Sequence, residues 1–151
     1  MIWTIEPHLM AYARTPGPEV YFQREFGEMV NIAIFSFVLR SGGQALLVDT
    51  GLVDDPGPLN AAMRKRKGPE AGFRPVARLP EILDRPPDTV MLTSFGPYAA
   101  GGLGDIGAEV PLVVSARGVA DLAEPEEPAL HHALAEPLAE RVRGAEAIVG
   151  A

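Results

Sequence analysis

An α/β fold is predicted on three observations. Strand-like apolar segments alternate along the chain with segments of helical spacing, the pattern of a sheet flanked by helices. Val30 to Leu39 is a long run rich in Val, Ile and Phe, apolar at both alternating positions, as in a strand buried on both faces. Ser41-Gly-Gly43 then supplies a turn, and Gln44 to Val48 returns as the second arm of a hairpin.

The remaining elements follow in chain order. Ile2 to Glu6 alternates weakly and opens the sheet, and Glu19 to Phe26 carries aromatics in a strand-like context. After Gly51, Asp54-Asp-Pro-Gly-Pro58 reads as a helix entry. Leu59, Ala62, Met63 and Arg66 continue it at helical spacing, and Gly68-Pro69 stops it. Gly72 to Pro87, rich in Pro and Arg, is read as a loop with one short helix around Pro80 to Leu83. Thr89 to Thr93 is a short buried strand, and Gly107 to Ser115 contains the next. Ser115 is placed to cap a helix through Val119 and Leu122. Leu130, Leu134, Leu138 and Val142 form a stripe on a later helix that contains Pro137, and Ala147 to Val149 begins another strand.

Composition bounds the function. The chain has 151 residues and no internal repeat or linker, so residues 1–151 are read as a single domain. Thirteen basic and 20 acidic residues give a formal charge of -7. That balance argues against nucleic acid, which needs a basic face. The one basic run, Arg64-Lys-Arg-Lys67, reads as a solvated helix end. The absence of cysteine excludes disulfides and thiolate zinc sites. The N-terminus lacks the pattern of a signal peptide, and Ile32 to Leu39 is too short to span a bilayer. The expectation is a soluble, cytoplasmic protein with no membrane contact.

Two segments carry the strongest signal. Leu46-Leu-Val-Asp-Thr-Gly51 is a strand ending in an Asp-Thr-Gly turn, and Thr93-Ser-Phe-Gly-Pro-Tyr-Ala-Ala-Gly-Gly-Leu103 is a loop after a second strand. Together they resemble the metallo-β-lactamase superfamily, in particular its lactonase-like hydrolases. In that family the loop reads Thr-His-x-His-x-Asp-His-x-Gly-Gly-Leu. Thr93, Gly101, Gly102 and Leu103 match the scaffold of that motif, as does Gly51 in the turn. Ser94 and Gly96 stand where the first two histidines would be, Tyr98 replaces the aspartate, and Ala99 replaces the third histidine. The resemblance implies an αββα sandwich of two similar halves, of which this chain resembles the N-terminal half, a truncated domain.

In the family these side chains hold zinc. Gly96 and Ala99 carry no donor, and the hydroxyls of Ser94 and Tyr98 are poor zinc ligands. No catalytic metal, no cofactor and no catalytic residue is therefore expected. His8 has no spaced partner, and the adjacent His131 and His132 diverge by about 100° on a helix. Asp49 is read as a carboxylate accepting N–H bonds at its turn. Ser94 has no histidine or lysine placed by sequence to activate it. Gly101-Gly102 supplies either positive φ or a close backbone approach.

A half sandwich leaves one sheet face uncovered. The leading expectation is a non-catalytic, pseudoenzyme-like subunit that assembles with itself as a homo-oligomer, or with a metal-bearing metallo-β-lactamase-fold partner. The alternative is a free-standing small-molecule binding module using the emptied pocket around Ser94, Tyr98 and Asp49. A metal-free hydrolase ranks below both.

Overall fold

The computed structural model describes residues 2–123 and 136–149. His131 and His132, and the Leu130 and Leu134 end of the apolar stripe, lie outside those residues. The described residues form one mixed, seven-stranded sheet. Its strands are β1 (Thr4–Pro16), β2 (Met29–Ser41), β3 (Gln44–Val48), β4 (Gly72–Pro75), β5 (Thr89–Met91), β6 (Leu112–Ser115) and β7 (Glu146–Ile148). Their order across the sheet is β4-β1-β2-β3-β5-β6-β7. From β4 to β3 neighbours run antiparallel, and from β3 to β7 they run parallel. The helices are α1 (Gly57–Lys67), α2 (Leu79–Ile82), α3 (Ala116–Ala123) and α4 (Glu136–Arg143).

Local chemistry explains most boundaries. Gly42 and Gly43 both have positive φ, which closes a two-residue hairpin between β2 and β3. The Asp55 carboxylate accepts the Gly57 N–H at 2.9 Å and so opens α1. Gly68, at φ 104°, ends it. The Ser115 hydroxyl accepts the Gly118 N–H at 3.3 Å, a cap on α3.

Three expectations are corrected. Residues 20–28 form turns rather than a strand. Gln23, Glu25 and Gly27 take positive φ, and the Gly17 N–H closes the segment onto the Glu28 carbonyl. Tyr21, Phe22 and Phe26 are consequently exposed. The Pro-rich stretch after Gly72 contains an edge strand, β4. It is held to α1 by Asn60, whose amide donates to the Phe73 carbonyl at 3.0 Å. Finally, β2 is buried on one face only.

That last point sets the architecture. Val38, Leu47, Val90, Leu112 and Val114 point to one face of the sheet. There they pack with Leu79 of α2, Val142 of α4 and the turn residues Leu103 and Ile106. The pairing register puts Ile5, Leu9, Phe35, Phe37, Leu39, Leu46, Val48, Met91 and Val113 on the other face. This face is apolar, yet Ile5, Phe35 and Phe37 are 62, 41 and 36% exposed. Helices cover one side of the sheet, and among the described residues nothing seals the other.

Candidate functional site

The site is built where β3 and β5 end side by side. The Asp49 N–H donates to the Met91 carbonyl at 2.9 Å, extending the parallel ladder by one bond. Asp49 then turns with φ 59°, a left-handed conformation that aspartate tolerates better than most residues. Both its carboxylate oxygens are engaged by Thr93. Oδ1 accepts the Thr93 N–H at 2.8 Å, and Oδ2 accepts the Thr93 hydroxyl at 2.6 Å. Burial pushes the Asp49 carboxyl above the ordinary aspartate range, and the two Thr93 bonds oppose that rise without cancelling it.

The next two residues staple the loop further along. Thr50 is buried, and both its N–H and its hydroxyl donate to the Ala99 carbonyl, at 2.6 and 2.9 Å. The Gly51 carbonyl accepts the Gly101 N–H at 3.1 Å. This bond explains the paired glycines. A Cβ on Gly101 would lie 2.4 Å from the Val53 nitrogen, and one on Gly102 would lie 2.3 Å from the Thr50 carbonyl oxygen. Neither glycine has positive φ. Close backbone approach is therefore their role, and Leu103 follows fully buried in the core.

The sequence-selected positions separate into two groups. Thr93, Ser94, Gly96 and Tyr98 line a cleft of about 440 Å³, together with Ser115, Arg117, Gly118 and Asp121 from β6 and α3. Ala99 is buried and Asp49 is spent on Thr93, and neither lines that cleft. The Ser94 hydroxyl accepts the Gly96 N–H at 3.3 Å. The Tyr98 ring lies where a side chain at Gly96 would go, 2.9 Å from the Cβ position. Pro97 and Tyr98 also line a second cleft of about 410 Å³ between the β1–β2 hairpin and α1. Its walls include Ala13, Ile32, Ile34, Met63 and Phe73, with Thr15, Glu19 and Lys67 as polar groups. Burial acts to raise the Glu19 carboxyl, but the Lys67 ammonium and Thr15 hydroxyl outweigh it and hold it below the ordinary value.

Sequence reasoning missed Arg141. From α4 its guanidinium donates to the main-chain carbonyls of Leu103, Ile106, Gly107 and Val110, at 3.4, 2.7, 2.7 and 3.1 Å. Burial lowers its pKa. It clamps the turn that follows the glycine pair, and a lone arginine on a helix gives no signal of such a role.

Chemically, the donor set does not fit a metal. The cleft offers neutral hydroxyls from Thr93, Ser94, Tyr98 and Ser115 and one carboxylate, Asp121, too few charged donors for a zinc site, and Gly96 and Ala99 have nothing to coordinate with. Among the described residues no three His, Asp or Glu side chains converge on a metal-sized site. Among the described residues no histidine or lysine lines the cleft as a base for Ser94.

The antiparallel hairpin leading into three parallel strands, with helices on one face and the Asp-Thr-Gly turn stapled to a Gly-Gly loop, decides the fold. The chain has part of the metallo-β-lactamase fold. An N-acyl homoserine lactone hydrolase, solved with N-hexanoyl-L-homoserine at its catalytic metal centre, matches with a TM-score of 0.62 and 16% identity. That match covers 83% of this chain and 52% of that one. A mutant of AiiA from B. thuringiensis, with N-decanoyl-L-homoserine at its active site, matches with a TM-score of 0.61 and 18% identity, over 83% and 52% of the two chains. A probable metal-dependent hydrolase from Staphylococcus aureus gives a TM-score of 0.65 at 15% identity, over 98% and 58%. No protein-family model and no curated protein sequence matches the chain. The chain thus spans about half the length of the metallo-β-lactamase-fold structures it matches. No helix among the described residues is long and apolar enough to cross a membrane.

Proposed function

We propose that this chain is a non-catalytic subunit with the metallo-β-lactamase fold, completed by a second protein layer over its open sheet face. The observation that carries the reading is that face itself. Phe35 and Phe37 lie with ring centroids 6.2 Å apart and remain 41 and 36% exposed in the middle of an apolar sheet surface. Apolar side chains contiguous across several strands mark an interaction surface rather than an ordinary solvated one. The loop supports the non-catalytic part of the proposal. Its backbone path is kept by Asp49, Thr50, Gly101 and Gly102, while Ser94, Gly96, Tyr98 and Ala99 offer no metal-binding set. The completing layer is a second copy or a metal-bearing partner of the same fold.

The test is the assembly state of the purified chain, wild type against Phe37→Asp, by light scattering coupled to size exclusion. A co-purifying partner lost in Phe37→Asp, or self-association weakened by it, is expected. A well-folded chain that stays strictly monomeric and brings no partner refutes the reading.

A second reading is favoured by the cleft of about 440 Å³, a volume within the range of small-molecule sites. Ser94, Tyr98, Ser115 and Arg117 would orient a small organic ligand there. Thermal-shift screening separates the two readings, because a binding module is stabilised by its ligand with no protein partner present.

A further inference from the structure

The sheet's free edges differ in protection: β1, which β4 covers only from Ala11 to Arg14, leaves Thr4 to Leu9 unpaired on that side but carries Glu6 and Pro7 there. β4, at one end, has four residues and carries Arg74 and Pro75. β7, at the other, has three residues and carries Glu146. Short length, charge and proline are the usual devices that keep an edge strand from pairing with another chain. The unprotected edge lies inside the sheet order. β2 is 13 residues long, but β3 pairs only with Phe37 to Ser41. β1 covers the opposite edge of β2 from Met29 to Arg40. Among the described residues, no strand pairs with the other edge of β2 from Met29 to Ser36.

That stretch reads Met-Val-Asn-Ile-Ala-Ile-Phe-Ser. It has no charge, no proline and no glycine, and its β-branched and aromatic content is high. Asn31, Ile32 and Ala33 are exposed. Main-chain donors and acceptors in such a row are satisfied by an added strand. In a chain of net charge -7, a neutral edge is also where two identical copies meet with the least repulsion.

We propose that residues Met29 to Ser36 are a strand-pairing site for a second copy of this chain, joined antiparallel about a two-fold axis through Ala33. This register is self-complementary, as an isologous interface must be. It sets Ala33 against Ala33 on the axis, where the smallest side chain of the segment meets itself. Ile32 then faces Ile34 of the other copy, and Asn31 faces Phe35. Cross-strand pairs of β-branched residues stabilise such a ladder. The joined sheet continues from one copy into the next and carries the open apolar face of both. This surface is distinct from that face, so the edge pairing stands or falls apart from the function proposed above.

The chain lacks cysteine, so a single introduced thiol is unambiguous. Ala33→Cys, on the two-fold axis, is expected to form a covalent dimer under mild oxidation. Ala108→Cys, in an exposed loop, serves as the control that does not. Ile32→Lys is expected to weaken dimerisation at least tenfold in sedimentation equilibrium, with an unchanged circular dichroism spectrum, whereas Phe37→Asp leaves the edge ladder intact. A monomeric wild type, Ala33→Cys cross-linking no faster than Ala108→Cys, or a dimer that survives Ile32→Lys each overturns the proposal. A dimer sensitive to Ile32→Lys but indifferent to Phe37→Asp upholds the edge pairing while refuting the face reading.

Discussion

Gly102→Ala is expected to destabilise the fold although it adds one methyl group. The added Cβ would sit 2.3 Å from the Thr50 carbonyl oxygen and 3.0 Å from Leu79 Cδ1. Neither neighbour is a flexible side-chain end that can swing away freely. The Thr50 main chain is fixed by its own N–H and hydroxyl bonds to Ala99, and Leu79 belongs to the packed core. Relief therefore requires moving the Asp-Thr-Gly turn away from the loop, which stretches the Gly101 N–H bond to Gly51. Overpacking of this kind costs about 1–3 kcal/mol, and the clash with fixed backbone puts it near the upper end. For a chain of this length that is a fall in Tm of roughly 4–12 °C. Gly104→Ala is the internal control. Nothing lies within 4 Å of its Cβ position and its φ is not positive, so it should be neutral or gain about 0.4–1 kcal/mol through the unfolded state. Thermal and urea unfolding followed by circular dichroism compare the two. Equal stability of Gly102→Ala and Gly104→Ala would refute the close-approach argument.

Three further outcomes are expected. Arg141→Met removes the donors to four loop carbonyls and should cost about 2–4 kcal/mol; in urea unfolding Arg141→Lys should restore only part of it, since an ammonium cannot reach all four. Asp49→Asn tests the buried carboxyl. Because burial raises its folded pKa, the native state holds a proton that the unfolded chain has released, so wild-type stability falls as pH rises from the ordinary aspartate value to that raised pKa. The amide variant should lose that slope, and an unchanged slope in pH-dependent unfolding would count against it. Zinc at low-millimolar excess should leave Tm unchanged, since a ligand that does not bind the native state cannot stabilise it; a rise of several degrees would show a site that the donor chemistry denies.

The strands and helices with strong local signals are legible in the amino-acid sequence. The double glycine at Gly42-Gly43, the Asp55 entry to α1 and the Ser115 cap are contained within a few residues, so the sequence suffices to place them. β4 and residues 20–28 were misread for the opposite reason. Phe73 and Arg74 become a strand only because Tyr12, Ala13 and Asn60 offer partners from distant segments. Tyr21 and Phe22 look strand-like, but positive φ at Gln23, Glu25 and Gly27 turns the chain back on itself.

The same division holds at the site. Which donors the loop lacks is a matter of residue identity, and Ser94, Gly96, Tyr98 and Ala99 settle it in the primary structure. Where those positions point is not. Ala99 lies in the packed interior and Tyr98 stands between two clefts, because the Thr50 and Gly101 bonds set the path of the loop. The Arg141 clamp and the free edge of β2 are likewise absent from any local pattern. One depends on α4 reaching the carbonyls after Leu103, and the other on β3 pairing with only five residues of a longer strand. Sequence by itself determined the α/β class and a loop without metal ligands, since both follow from residue type and spacing. Only the tertiary structure decided which face of the sheet is covered and which edge is left open, since burial and pairing are properties of segments brought together from far apart in the chain.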